Sequence, residues 1–274
     1  MSDRPALGIL AGGGPMPARV AAAARAAGRT VFLIGLDGHA EPAILAPFPH
    51  AIVRIGAAGR ILELLRANAC RDLVLVGPVR RPSILDLRPD VEGARLLARI
   101  GRAAFAGDDG LLKAVVRVLN EEGFSVVGAH EILTEVLGPR GLLSQAAPDA
   151  QALADIERGI AVARALGAAD VGQCCVVQQG LVLCVEAIEG TDAMLARAAT
   201  LRRPGPGGVL VKLVKPGQER RADLPAIGAR TVTAVQAAGL RGIAVEAGAC
   251  LVLDRDAVAA AADQAGIFVV GISA

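Results

Sequence analysis

Short apolar runs alternate with alanine-rich helical segments along the first third of the chain, and this alternation constrains the fold most. The runs at residues 7–10, 30–34 and 73–76 have the length of buried strands, and the segments at 18–27 and 61–68 have the period of helices. A strand–helix–strand order with this spacing gives a parallel sheet with right-handed crossovers. The sequence therefore predicts an α/β fold that begins with a parallel-sheet domain.

Two more helices and a strand are predicted after this sheet, at residues 91–104, 111–122 and 124–127. The second helix follows the acidic turn Gly107-Asp108-Asp109-Gly110, where a carboxylate can accept hydrogen bonds from first-turn amides. The periodicity then stops, and Gly, Pro, Ser and Gln accumulate between Gly138 and Pro148. This composition is typical of a linker or of a loop that crosses between domains.

A chain of 274 residues is long enough for two domains, which we place at residues 1–138 and 149–274. The second domain also mixes helices and strands. Its predicted helices lie at 149–166, 231–238 and 256–264, and its predicted strands at 174–178, 181–187, 209–214, 243–245, 250–253 and 267–270.

The charge pattern excludes some classes of partner. The 29 basic and 27 acidic residues nearly cancel, and no run of Lys or Arg forms the stripe that polyanion binding requires. Nucleic acid is therefore not an expected partner. No apolar stretch reaches 18 residues free of charge, and the N-terminus lacks the pattern of a signal peptide. We therefore expect a cytoplasmic protein.

The five cysteines are predicted to pack in the core. Cys174, Cys175 and Cys184 stand in alternating apolar segments, where small buried residues fit. The cysteines are odd in number, and their spacing matches neither a disulfide framework nor a zinc site.

Three glycines follow the first predicted strand, in the turn Gly12-Gly13-Gly14-Pro15 that leads into a helix. Glycine lets the backbone approach a ligand closely, and amides at a helix N-terminus attract phosphate oxygens. The turn therefore predicts a diphosphate site, although tight packing of helix on strand explains the same glycines. The dinucleotide pattern is incomplete, because Pro17 replaces its third glycine and Asp37 lies beyond the expected acidic position. This weakens an NAD-binding interpretation.

The turn after the third predicted strand, residues 77–82, reaches the same edge of the sheet, where open α/β folds bind ligands. Arg80 and Arg81 could hold a phosphate or a nucleotide there. Solvated surface arginines are the alternative interpretation.

Acidic side chains gather where strands of the second domain end. Glu189 and Asp192 lie three residues apart in a turn that enters a helix. Together with Asp223 they offer the oxygen ligands that Mg²⁺ takes, and Mn²⁺ accepts the same ligands. A simple helix cap by Thr191 or Asp192 is the alternative interpretation.

Basic and polar side chains stand beside these carboxylates in the sequence, at Lys212, Lys215, Gln218 and Arg220. They could neutralise the charge that develops on a phosphoryl group during an in-line displacement. A solvated loop is the alternative, but both charge signs in one bent loop favour a polyanionic or metallic ligand. His130 ends a strand, and we expect it to make a structural hydrogen bond rather than to act as a base.

Seven short segments span nearly the whole chain and carry a resemblance: Ile9-Leu-Ala-Gly-Gly-Gly-Pro15, Gly107-Asp-Asp-Gly110, Val127-Gly-Ala-His-Glu131, Asp170-Val-Gly-Gln173, Val185-Glu-Ala-Ile-Glu-Gly-Thr-Asp192, Val211-Lys-Leu-Val-Lys-Pro-Gly-Gln218 and Asp223-Leu-Pro-Ala-Ile-Gly228. Their order and content resemble the UDP-2,3-diacylglucosamine pyrophosphatase family of lipid A biosynthesis, the type distinct from the calcineurin-like phosphoesterase. The last three segments are specific, whereas many folds share the glycine turn. One departure is Ala226, where the family run has Thr.

The resemblance implies a Rossmann-like N-terminal domain and a mixed α/β catalytic C-terminal domain, with the substrate held between them. It implies Mg²⁺-dependent hydrolysis of UDP-2,3-diacylglucosamine to UMP and 2,3-diacylglucosamine 1-phosphate, with Asp223 as the family's essential aspartate. The expected partner is a lipid-linked UDP-sugar. Peripheral contact with the inner membrane and a homodimer are compatible with this function.

Candidate roles follow for individual residues. The predicted catalytic residues are Asp223, Lys212, Lys215 and Gln218, the predicted metal ligands are Glu189, Asp192 and Asp223, and the predicted substrate-binding residues are Gly12, Gly13, Gly14, Pro15, Arg80, Asp108, Thr191 and Arg220. A non-catalytic nucleotide-sugar-binding or regulatory protein and a nucleotide-dependent oxidoreductase are the alternatives that the sequence leaves open.

Overall fold

The chain forms two compact units in the computed structural model, which describes residues 5–80, 87–101 and 108–274. The first unit comprises Met1–Thr134 and Glu219–Asp223, and the second comprises Glu135–Gln218 and Leu224–Ala274. Both units mix helices and strands, so the predicted α/β class is confirmed. Within the described ranges, no helix is both long enough and apolar enough to cross a membrane.

The first unit is built on a parallel sheet. Its described strands are β1 (Ala6–Ala11), β2 (Val31–Leu36), β3 (His50–Val53), β4 (Cys70–Val76) and β5 (Ser125–Val126). They pair in parallel in the order β3-β2-β1-β4-β5, which confirms the predicted Rossmann-like sheet. The described helices are α1 (Met16–Ala26), α2 (Pro42–Leu45), α3 (Ala58–Ala67), α4 (Val91–Ile100), α5 (Asp108–Glu121) and α6 (Ala129–Ile132).

The apolar pattern did not predict α2 or β3, and β3 lies at one edge of this sheet. Among the four residues of β3 only Val53 is buried, because the strand has a neighbour on one side only. An edge strand of this kind lacks the continuous apolar run that marks β1 and β2.

The second unit is built on a mixed sheet. Its described strands are β6 (Gly141–Leu142), β7 (Cys174–Gln178), β8 (Leu181–Val185), β9 (Val209–Lys212), β10 (Ala226–Ile227), β11 (Gly242–Glu246), β12 (Leu251–Val252) and β13 (Phe268–Ile272). Six of them follow the order β6-β13-β11-β9-β7-β8, and β10 pairs with β12 separately. The described helices are α7 (Ala150–Ala168), α8 (Gly190–Leu201), α9 (Ala229–Ala237) and α10 (Arg255–Ala265).

The segment that the sequence predicts as a linker, from Gly138 to Pro148, contributes to this sheet. Strand β6 lies inside it and pairs antiparallel with β13. The Leu143 amide also donates to the Val269 carbonyl at 2.9 Å. A two-residue strand is too short for a periodic pattern, so the sequence shows only the turn residues around it.

Alternate residues of β7 face two different cores. Cys174 and Val176 belong to one apolar cluster, and Cys175 and Val177 belong to another, because successive side chains of a strand point to opposite faces. All five cysteines of the chain are buried free thiols, which confirms that they pack in the core. Burial raises the pKa of the Cys175 thiol to about 12.

The turn between β7 and β8 is held by a buried carboxylate on α7. Asp155 is 1% exposed, and its Oδ1 accepts from the Gly180 amide at 2.7 Å while its Oδ2 accepts from the Gln179 amide at 3.1 Å. Both turn residues have positive φ, 53° and 77°. The carboxylate therefore supplies the acceptors that amides in so tight a turn need.

We expect Asp155→Ala to lower the free energy of unfolding by about 2–4 kcal/mol, because two amides lose a charged acceptor. Asp155→Asn keeps one oxygen acceptor and should lose less. Glu157→Ala, at an exposed position of the same helix, should change the value by no more than about 0.5 kcal/mol. Urea denaturation followed by circular dichroism measures all three variants. Equal stability of the Asp155→Ala and Glu157→Ala proteins would contradict this role.

Candidate active site

The glycine turn of the first unit packs closely against the loop that follows β4. The Gly12 amide donates to the Val76 carbonyl at 2.9 Å, and the Gly13 amide donates to the Pro78 carbonyl at 3.0 Å. A Cβ atom on Gly12 would lie 2.4 Å from the Gly77 carbonyl oxygen. These two amides therefore bind the protein's own backbone rather than being free for phosphate, and close packing explains why Gly12 is a glycine.

The next two residues of the turn face open space. Gly14 has a φ of 74°, and no atom lies within 4 Å of the Cβ that a larger residue would place there. Pro15 is the N-cap of α1 and makes no side-chain capping hydrogen bond, and the first turn of α1 carries no acidic residue. The positive end of this helix dipole is therefore uncompensated by local side chains, which suits an anion.

The loops after β1, β2 and β4 meet at one edge of the parallel sheet. Nε2 of His39 lies 3.3 Å from the Arg80 carbonyl oxygen, and its Nδ1 lies 3.1 Å from the Asp37 carbonyl oxygen. A Cβ on Gly13 would lie 3.2 Å from the His39 carbonyl oxygen. The structure thus places the loop after β4 against the glycine turn through the Gly13–Pro78 hydrogen bond, with the backbone of Arg80 beside His39. Arg81 and the Asp108 side chain lie outside the described residues.

Two predicted site residues of the second half of the chain belong to the first unit. Arg220 and Asp223 lie in the segment Glu219–Asp223, which clusters with residues 1–134. The charge of Arg220 acts on His130 in this unit. Burial lowers the pKa of His130, Arg220 lowers it further, and Glu131 opposes both effects. The imidazole is therefore biased towards its neutral form.

A buried polar network lies at the strand ends of the second unit. Lys212, the last residue of β9, is 5% exposed, and its Nζ donates to Thr191 Oγ1 at 2.9 Å. Thr191 Oγ1 in turn donates to Glu186 Oε1 at 2.5 Å. The other oxygen of Glu186 accepts from the Gln173 amide at 3.1 Å. A lysine and a glutamate are thus joined through one hydroxyl.

The direction of these hydrogen bonds fixes what Thr191 can do. An ammonium has only donors, so the threonine oxygen must accept from Lys212, and its single proton goes to the Glu186 carboxylate. The proton of the hydroxyl is therefore used inside the protein. Thr191 orients Lys212 and is not the N-cap of α8, which is Glu189 and makes no side-chain capping hydrogen bond.

Lys215 and Gln218 form a closed turn after β9. The Gln218 side-chain oxygen accepts from the Lys215 amide at 2.9 Å, and the Gln218 amide donates to the Lys215 carbonyl at 3.0 Å. The Lys215 ammonium lies 2.7 Å from Asp170 Oδ1. The structure therefore holds the Lys215 charge at a defined position against a carboxylate that the sequence analysis did not select.

The predicted metal ligands of the second unit have separate surroundings. Glu189 Oε1 lies 2.5 Å from Arg197 Nη2, and Asp192 lies 3.7 Å from Arg230 with three quarters of its side chain exposed. Asp223 belongs to the first unit. In the part of the chain that the structure describes, no three or more His, Cys, Asp or Glu side chains gather as a metal site would require.

Two polar residues of the second unit, Glu186 and Gln173, were not predicted from the sequence. Glu186 directly follows the apolar strand β8. Its position at the end of an apolar strand is the sequence feature that could have indicated a buried carboxylate. Gln173 is adjacent to it, and its side-chain Oε1 is buried with no hydrogen-bond partner among the described atoms. Buried acceptors are normally paired, so this oxygen is a candidate contact for a ligand.

The fold and the strand-end polar groups define a two-unit α/β protein with a Rossmann-like first unit. The family model for the LpxI N-terminal domain matches residues 6–136, and the model for the LpxI C-terminal domain matches residues 139–270. The protein named UDP-2,3-diacylglucosamine pyrophosphatase LpxI from Caulobacter vibrioides is 46% identical over 272 residues, which cover 97% of each chain. The chain belongs to the LpxI family, and the predicted resemblance is confirmed.

We expect Thr191→Val to lower the free energy of unfolding by about 1–3 kcal/mol, because the ammonium and the carboxylate lose the hydroxyl that joins them. Thr191→Ser keeps the hydroxyl and should lose less. Thr200→Val is the matched control, since Thr200 is exposed on the same helix. Thermal and urea denaturation measure the three variants. A Thr191→Val protein as stable as the Thr200→Val protein would show that the network contributes nothing to stability.

Proposed function

We propose that this chain hydrolyses the pyrophosphate of UDP-2,3-diacylglucosamine to UMP and 2,3-diacylglucosamine 1-phosphate in lipid A biosynthesis. The observation that carries the proposal is its 46% identity, over 97% of both chains, to a relative with this named activity. The two family models, which match residues 6–136 and 139–270, extend the same support to each unit.

The reaction requires positioned positive charge. A water oxygen bonds to one phosphorus, the bond from that phosphorus to the bridging oxygen breaks, and the other phosphate leaves with that oxygen. Negative charge grows on the phosphate oxygens, so donors fixed before the reaction lower its barrier. We assign this role to Lys212, Lys215 and Gln218. Support comes from their fixed geometry, since Thr191 holds Lys212 and Asp170 holds Lys215.

Asp223 is the proposed acid or base. A carboxylate that orients or deprotonates water must be held within hydrogen-bond reach of it. The backbone of Asp223 is fixed, because its amide donates to the Glu219 carbonyl at 3.0 Å. The residue is half-buried, and the family resemblance implies that it is the essential aspartate.

The donor chemistry of the chain fits Mg²⁺. Proteins commonly hold this ion by one or two carboxylates, while substrate phosphates and waters complete the coordination. Asp192 offers a largely exposed carboxylate, and Glu189 offers a second one that now pairs with Arg197. We propose Glu189 and Asp192 as its ligands in the second unit, whereas Asp223, the third ligand predicted from the sequence, belongs to the first unit. The ion would neutralise phosphate charge when bound, and Mn²⁺ would supply the same chemistry.

Substrate contacts are proposed mainly at the open start of α1. Gly14 and Pro15 border open space there, whereas Gly12 and Gly13 shape the turn. We propose Arg80, Asp108 and Arg220 as further contacts, and Thr191 as a contact that acts by orienting Lys212. The two acyl chains make the substrate a membrane lipid, so we also propose a cytoplasmic protein that touches the inner-membrane surface transiently. A homodimer stays a prediction.

Purified protein should release UMP from UDP-2,3-diacylglucosamine in the presence of Mg²⁺, as measured by chromatography of the products. Excess chelator should abolish turnover, and added Mg²⁺ or Mn²⁺ should restore it, since both take oxygen ligands. Full activity in chelator would remove the metal from the mechanism. Binding of the lipid without turnover, or hydride transfer with NAD, would overturn the hydrolase proposal.

Asp223→Ala should lower kcat by at least ~100-fold and leave substrate affinity and melting temperature near the wild-type values. The matched control is Asp256→Ala, which removes an exposed aspartate from the first turn of α10 and should leave kcat unchanged. A near-normal kcat for Asp223→Ala would exclude Asp223 from catalysis. A collapsed melting temperature would make its role structural.

A further inference from the structure

The segment that carries Asp223 is tied to the first unit by a side chain of α5. Glu219–Asp223 clusters with residues 1–134, although the chain on both sides of it belongs to the second unit. Its first residue donates its amide to Asp109 Oδ1 at 2.8 Å. Asp109 is only 13% exposed at its side chain, so water competes little for this bond.

A short hydrogen-bond chain leads from Asp109 to Asp223. The Glu219 carbonyl accepts from the Ala222 amide and from the Asp223 amide, both at 3.0 Å. Glu219 therefore binds Asp109 through its backbone amide and Asp223 through its backbone carbonyl. A shift of Glu219 would move the backbone of Asp223 with it.

Further contacts fix the residues of this hydrogen-bond chain. Lys113 Nζ lies 2.6 Å from Asp109 Oδ2, which leaves Oδ1 directed at the Glu219 amide. The Glu219 carboxylate accepts two hydrogen bonds from the Arg221 guanidinium, at 2.7 and 2.6 Å, and this pairing lowers the pKa of Glu219. Ala222 packs against the apolar core of the first unit.

We propose that Asp109 is a positioning residue for Asp223, acting through the amide of Glu219. The inference rests on the proposed function, because it takes Asp223 as the acid or base. The sequence pattern favoured a helix cap for the acidic turn 107–110, whereas the structure directs the Asp109 carboxylate at Glu219 and Lys113. Geometry governs acid–base catalysis, and a displacement of about 1 Å costs roughly 100-fold in rate.

Asp109→Ala should lower kcat roughly 10- to 100-fold and change KM by less than about 3-fold, since the substrate contacts remain. Asp109→Asn keeps an oxygen that accepts from the Glu219 amide, so it should restore most of kcat. Glu63→Ala is the control, because Glu63 is exposed on α3 of the same unit and pairs only with Arg60 in the described contacts. It should have wild-type kcat.

Hydrogen exchange of a peptide that covers residues 219–223 provides a readout that needs no turnover. The Glu219 amide should exchange faster in the Asp109→Ala protein than in the wild-type and Asp109→Asn proteins. Unchanged exchange, or a wild-type kcat for Asp109→Ala, would overturn the positioning role. A loss of kcat that Asp109→Asn does not restore would also overturn it.

The same experiment separates this inference from the proposed function. If the wild-type protein does not hydrolyse the substrate, the proposed function fails and the catalytic part of this inference fails with it. If the wild type is active and Asp223→Ala is slow, a normal rate for Asp109→Ala refutes the positioning role alone. If Asp223→Ala is fully active, the assignment of Asp223 fails, and hydrogen exchange still decides whether Asp109 holds the segment.

Discussion

The burial of strands on both faces is the constraint on which the rest of this structure depends. All six residues of β2 and all four of β9 are buried, so these strands have no solvent-facing side for polar groups. Polar side chains that these strands contribute to the candidate site therefore stand at strand ends or in the loops that follow. Lys212 closes β9 and Glu246 closes β11, and Glu186 follows β8 directly. The candidate chemistry of the second unit is concentrated at these ends as a result.

Placing charges at buried strand ends has an energetic consequence. A lysine that is 5% exposed and a glutamate that is 6% exposed would each lose most of their hydration. The loss is offset where hydrogen bonds satisfy both groups, and Thr191 provides that link between Lys212 and Glu186. The same arrangement fixes the ammonium before any ligand arrives. The hydrogen bonds that stabilise this network are therefore the same ones that would hold Lys212 in place for its proposed role.

The short segment Glu219–Asp223 shows how an irregular loop gains a defined conformation. It contains no strand or helix, yet Asp109 binds its first amide, Arg221 binds the Glu219 carboxylate, and Ala222 enters an apolar core. Each contact restricts the backbone, so side-chain contacts order the loop in place of the regular backbone hydrogen bonds of a strand or helix. Such loops carry functional residues in many α/β proteins because the scaffold positions them.

The sequence by itself determined the class of the fold and most of its elements. Apolar periodicity located β1, β2, β4, β7 and β8, because buried elements impose their period on the sequence. Specific short segments also placed the chain in its family. Only the tertiary structure decided β3 and β6, since β3 has a single buried residue and β6 has two residues, neither of them buried. It alone decided the partners of Lys212 and Asp109, because these hydrogen bonds join residues 21 and 110 positions apart, and no local signal encodes such distances.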